Sequence, residues 1–190
     1  MKNSNIKIIT GCVLIAFFSL TSSGQVTKKT NNDASENPVK LEKNKVPKPV
    51  TESYYRDFPV TNYENWYGYP DYDYQNYWYD NNPYSYTEFP EYYMIETTKD
   101  NIPYKAIYNK SGTKIAVHKS LKSELPKSVL ITINKGEYKS WKIANDKEEI
   151  FKDSDKDKLK VYKVDVEKGK EKHTLYFQLD GTLLKDRKVS

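Results

Sequence analysis

A shift of 69 residues lays one stretch of this chain on another without a gap, and that self-match limits the fold more than any other feature. Tyr93 falls on Tyr162, Ile95 on Val164, Glu96 on Asp165, Lys99 on Lys168, Ala106 on Leu175, Tyr108 on Phe177, Gly112 on Gly181 and Thr113 on Thr182. Apolar residues alternate through both stretches, as in Tyr93-x-Ile95-x-Thr97 and Tyr104-x-Ala106-x-Tyr108, and a period of two puts them on one face of a strand. Asn109 to Gly112 and Asp180-Gly181 read as turns. The register therefore predicts one antiparallel hairpin made twice, over 92–117 and 161–188, with Tyr108 and Phe177 both buried.

What precedes the second hairpin is helical by pattern. Proline at Pro126 suits a first turn, where its missing N–H has no partner to lose. Leu125, Val129, Leu130 and Ile133 form an apolar stripe, and Gly136 is placed to end it. Strands are predicted from Tyr138 to Ala144, Glu148 to Phe151, Leu159 to Glu167, His173 to Leu179 and Thr182 to Lys188. With small gaps the match extends backward, Phe58-Pro59 answering Leu125-Pro126 and Gly68-Tyr69 answering Gly136-Glu137-Tyr138. The segment Val60 to Trp66 offers no helical stripe, so the first unit reads as degenerate.

Its peculiarity is aromatic. Residues 57–96 hold 11 of the 18 tyrosines, with 2 Trp and 2 Phe, and 8 acids without one base. Residues 97–190 reverse the sign, with 22 bases against 14 acids. Complementary charge should therefore orient the halves, while aromatic burial holds them together. Tyrosines pair at spacing two (Tyr67 and Tyr69, Tyr72 and Tyr74, Tyr77 and Tyr79), and Pro70, Pro83 and Pro90 forbid a long helix through them. Such rings suit protein interfaces and sugar rings alike. Part of the block should cover the basic half, leaving Trp66, Tyr67, Tyr69, Tyr72, Tyr74, Tyr77, Trp78 and Tyr79 as a binding face.

At the N-terminus, Lys2 and Lys7 precede the apolar run Ile8 to Leu20, which is too short to span a bilayer. Small residues at Ser22 and Gly24 place a signal-peptidase cut between Gly24 and Gln25, leaving no membrane span. A lipobox at Ile9-Thr10-Gly11-Cys12 is the rival, although only Ile8 would then separate it from Lys7. The expected organisation is a signal peptide (1–24), a disordered Lys/Asn/Pro-rich linker (25–52), a Tyr-rich first half (53–119) and a second half (120–190).

Two histidines and one cysteine cannot supply a zinc centre of four cysteines, of paired cysteines and histidines or of three histidines, nor a redox dithiol or an internal disulfide. Asp153, Asp155 and Asp157 alternate as in a calcium loop, but Lys158 and Val164 stand where the loop needs glycine and glutamate. His118 and His173 lie among lysines in predicted strands with no nucleophile or phosphate loop nearby. The bases of the second half are interspersed with acids, which argues against nucleic acid. No catalytic residue, metal or cofactor is expected.

The motifs Leu125-Pro126-x-x-Val129, Tyr138-x-x-Trp141-x-Ile143, Tyr162-x-Val164-x-Val166-Glu167-x-Gly169 and Leu175-Tyr176-Phe177-x-x-Asp180-Gly181-x-Leu183-Leu184 carry a resemblance. They resemble the beta-lactamase-inhibitor-like, PepSY-like domains of secreted bacterial proteins, well over 120–190 and loosely over 57–119. The resemblance implies an α+β fold of tandem units, each with a helix packed on an antiparallel sheet. It also implies a periplasmic or secreted, non-catalytic module that binds or inhibits an envelope protein. An aromatic, carbohydrate-binding or adhesive envelope protein is the alternative, which makes the expected partner an envelope protein or a glycan.

Overall fold

The computed structural model describes residues 40–69, 76–80, 90–152 and 159–189. The expected signal peptide with its cut between Gly24 and Gln25, Tyr72, Tyr74 and the Asp153, Asp155 and Asp157 run lie outside them. Among the described residues the strands are β1 (Lys40–Leu41), β2 (Glu64–Tyr69), β3 (Tyr92–Lys99), β4 (Ile102–Asn109), β5 (Lys114–Ser120), β6 (Lys142–Lys152), β7 (Lys160–Lys168), β8 (Glu171–Gln178) and β9 (Leu183–Lys188). They pair in chain order, every neighbour antiparallel, into one nine-stranded sheet. Helix α1 (Lys48–Asp57) precedes β2, and helix α2 (Lys127–Lys135) joins β5 to β6. Among the described residues no helix is long and apolar enough to cross a membrane.

The two hairpins hold equivalent registers. Tyr93 opposes Tyr108 and Ile95 opposes Ala106 in one; Tyr162 opposes Phe177 and Val164 opposes Leu175 in the other. Tyr108 and Phe177 are buried on the same face, each beneath a helix. Below α1, Val50, Tyr54 and Phe58 pack with Trp66, Tyr93, Ile95 and Tyr108. Below α2, Val129 and Ile133 pack with Tyr162, Val164, Leu175 and Phe177. Cross-strand pairs carry that face through β5 and β6, since Val117 opposes Phe151 and Glu149 opposes Tyr162. Both helices therefore cover one side of the sheet.

Each helix also meets the turn of its hairpin. Gly112 and Gly181 adopt φ of +84° and +89°, the left-handed region open to glycine at little cost. A Cβ on Gly112 would lie 2.4 Å from the Pro49 carbonyl oxygen, and one on Gly181 would lie 2.7 Å from that of Ser128. Thr132 Oγ1 donates to the Gly181 carbonyl at 2.9 Å. At the other helix, Tyr108 Oη donates to Asp57 Oδ2 at 3.0 Å, and Lys114 pairs with the same carboxylate.

The expectation of a spacer reaching residue 52 and of a first half without a helix is corrected here. Residues 40–52 hold β1, a short 3-10 turn and the start of α1. Val50, Tyr54 and Phe58 recur at helical spacing, and all three are buried, which offsets the ordering entropy of an otherwise polar segment. The backward match was also misplaced. Gly68 lies within β2 opposite Tyr93, whereas Gly136 ends α2, its N–H donating to the Thr132 carbonyl. Residues 137–140 form a turn, and β6 runs from Lys142 as one strand with an irregularity between Ile143 and Lys147.

Candidate binding face

Strand alternation sends the remaining side chains to the side of the sheet that carries neither helix. Its apolar part consists of Tyr69, Met94, Ile107, Ala116, Ile150, Val161 and Tyr176. Across it lies a short strap, residues 76–80, from the Tyr-rich block. Trp78 and Tyr79 are buried against this surface, and the Tyr79 and Tyr176 rings lie 5.3 Å apart. Asp80 anchors the strap. It is 2 % exposed, accepts hydrogen bonds from Tyr176 Oη at 2.8 Å and Arg187 Nη1 at 2.6 Å, and pairs with Lys185. The Lys185 ammonium also stands 4.9 Å from the centre of the Tyr77 ring. Acidic first half thus meets basic second half through a buried carboxylate and two cations.

Beside the strapped area runs a row of paired charges, Glu96 on β3, Lys105 on β4, His118 on β5, Glu148 on β6 and Lys163 on β7. Glu148 Oε1 lies 3.3 Å from Lys105 Nζ and 3.6 Å from Lys163 Nζ, while Oε2 lies 2.9 Å from His118 Nδ1. Tyr67 Oη donates to Glu96 Oε2 at 3.0 Å, and burial with that carboxylate pushes the phenol up to about 12. Burial pushes Glu148 up, but the His118 hydrogen bond and the ammoniums of Lys163 and Lys105 outweigh it and hold the carboxyl well below its ordinary range. Burial dominates at His118 and pushes its imidazole down, against the pull of Glu148.

Both shifts make the fold sensitive to acid. An imidazole depressed in the folded state leaves the unfolded chain holding more protons below about pH 6.5, so stability falls as pH drops through that value. Glu148 contributes stability above about pH 4.3, which is lost at still lower pH as its folded-state value is crossed. Urea unfolding between pH 7.5 and 5 should show a falling limb that flattens in His118→Gln. An undiminished slope in that variant would assign the limb to other groups.

The predicted binding residues do not form one exposed patch. Trp66 is buried beneath α1 with its ring 5.1 Å from that of Tyr54, on the opposite side of the sheet from Trp78. Tyr69, Trp78 and Tyr79 are buried, Tyr67 is half-buried, and Tyr77 is 43 % exposed. The physical reason is that the strap supplies apolar cover on the side that neither α1 nor α2 covers, so its rings become core. Sequence reasoning set His118 aside and did not single out Lys105, Glu148 or Lys163. Alternation of Lys105 with Ile107 and of Glu148 with Ile150 was the available signal. His173 lies on the helix side, where Asp186 holds its Nδ1 at 2.6 Å and the Tyr138 and Trp141 rings flank it. Among the described residues no cluster of three or more acidic, histidine or cysteine side chains is arranged to hold a metal ion.

Comparison with known proteins places this geometry. No family model and no curated protein matches the sequence. Among solved structures, a DUF2874 family protein from Bacteroides ovatus is similar at 18 % identity and a TM-score of 0.56, with 76 % of this chain and 88 % of that one covered. A BLIP-like protein from Bacteroides fragilis, also 18 % identical, gives 0.53 with 76 % and 86 % covered. The fold is BLIP-like. A protein from Bacteroides eggerthii, assigned provisionally to the periplasm, shares it at 11 % identity and a TM-score of 0.56, with 76 % and 89 % covered. The α+β class read from the sequence agrees with this BLIP-like architecture.

Proposed function

We propose that the protein is a non-catalytic, periplasmic binding module of the PepSY-like kind, which docks an envelope protein on the helix-free side of its sheet. The observation that carries the reading is the row Glu96, Lys105, His118, Glu148 and Lys163. Five adjacent strands hold it rigid, and its neutralised charges form a polar surface beside an apolar one. Rigid, mixed surfaces of this type suit protein recognition, because few side chains must be ordered on binding. The inhibitor-like fold and the periplasmic assignment of a structural relative support the same reading. An aromatic glycan surface is less well supported, since Trp66 and Trp78 keep their ring faces inside the protein.

A photo-crosslinking residue placed at exposed Tyr63, on the rim of this face, should capture an envelope protein in cells. One placed at exposed Ile131, on the outside of α2, should not. Capture from Ile131 alone, or equally from both, would move the docking surface.

A further inference from the structure

Around His118 the helix-free face dips into a cleft of about 140 Å³, whose lining includes Tyr63, Glu96, Pro103, Lys105, His118 and Glu148. Its carboxylates are already engaged. Glu96 accepts from Tyr67, and the two oxygens of Glu148 are shared among His118, Lys105 and Lys163. His118 Nε2 differs: it is buried without a hydrogen-bond partner among the described residues, on a side chain that is 3 % exposed. Because the Glu148 carboxylate only accepts, His118 Nδ1 carries the proton toward it. Nε2 of the neutral ring then presents a bare lone pair.

We infer that this cleft seats a tyrosine side chain of the protein partner, whose phenol O–H donates to His118 Nε2; the inference rests on the docking reading above. Three features select the occupant. Glu96 and Glu148 in the lining are balanced by Lys105 in it and by Lys163, which pairs with Glu148 from beside it, so little net charge is left to attract an acidic or basic anchor. Its volume is well below the roughly 300–1,000 Å³ of a drug-sized site, so it takes one ring-sized group. His118 Nε2 is a buried acceptor that asks for one donor, which a phenol supplies. Pro103 and the half-exposed Tyr63 offer apolar surface to the incoming ring. Tyrosine is also among the side chains that most often anchor protein interfaces.

The test uses the full chain, N-acetyltyrosinamide as probe, and the ¹⁵N signals of the His118 ring. Saturable binding should move the Nε2 resonance, and N-acetylphenylalaninamide, which lacks the donor, should bind roughly tenfold more weakly. Equal binding of the two amides, an unmoved His118, or preferential binding of a methyl glycoside would overturn the inference. The probe should also compete with the partner captured at Tyr63. Failure to compete at concentrations that fill the cleft sinks the tyrosine seat while leaving the docking reading intact. Absence of any Tyr63 capture sinks the docking reading and the seat with it.

Discussion

Replacing Asp80 with alanine is expected to lower stability by about 3 kcal/mol, the lower end of the cost of removing one partner from a buried ion pair. The carboxylate is almost fully enclosed and bonds Tyr176 Oη and Arg187 while pairing with Lys185. Without it two cations face each other over a buried phenol. Lys185 and Arg187 are 30 % and 24 % exposed, so water relieves part of that penalty and the upper end of the range is not reached. The strap would also lose its one charged side chain among the described residues, and Trp78 and Tyr79 would lift from Ile107, Ile150 and Val161. Urea unfolding followed by circular dichroism gives the free energy. Tryptophan emission in a variant retaining only Trp78 reports the strap and should shift to the red. Asp80→Asn keeps the shape and one acceptor, so it should lose less. A loss below about 1 kcal/mol with unshifted emission would show that aromatic burial alone holds the strap.

That same strap explains where the sequence was legible and where it was not. Hairpins were readable because alternation and turn glycines are local, and the two copies lie in the same register. The charge division correctly implied contact between the acidic block and the basic half. Which rings the contact would bury depends on partners about a hundred residues away, such as Tyr176 and Arg187 for Asp80, and no local pattern reports them. α1 was missed for a different reason. Its three apolar residues sit in a Lys- and Pro-rich segment that resembles a spacer by composition. A signal was nonetheless present: Val46-Pro47-Lys48-x-Val50 answers Leu125-Pro126-Lys127-x-Val129, at a shift of 79 instead of 69. Fixing the register on the hairpins drew the match toward Phe58-Pro59 and hid it. His118 was legible as a residue but not as a site, because its role depends on a carboxylate 30 positions away.

Truncating Phe177 to alanine is expected to cost about 3–5 kcal/mol, the usual loss for deleting a buried aromatic side chain from a packed core. The ring is 1 % exposed and lies in the cluster that seats α2 on β7 and β8. Phe177→Leu keeps much of the volume and should cost less than about 1.5 kcal/mol. Tyr108, at the equivalent place in the first half, adds a hydroxyl that donates to Asp57 at the end of α1. Tyr108→Phe removes that bond but leaves Asp57 paired with Lys114, so about 1 kcal/mol is expected. These variants also report how the halves communicate. β5 and β6 pair over Ala116 to Ser120 with Glu148 to Lys152, and the strap joins the halves on the other side of the sheet. Loss of packing under α2 should therefore lower a single unfolding transition for the whole sheet rather than release the second half alone. Circular dichroism and tryptophan emission should give coincident urea midpoints in Phe177→Ala. Separate midpoints would mean that neither the central strand pair nor the Asp80 anchor couples the two halves.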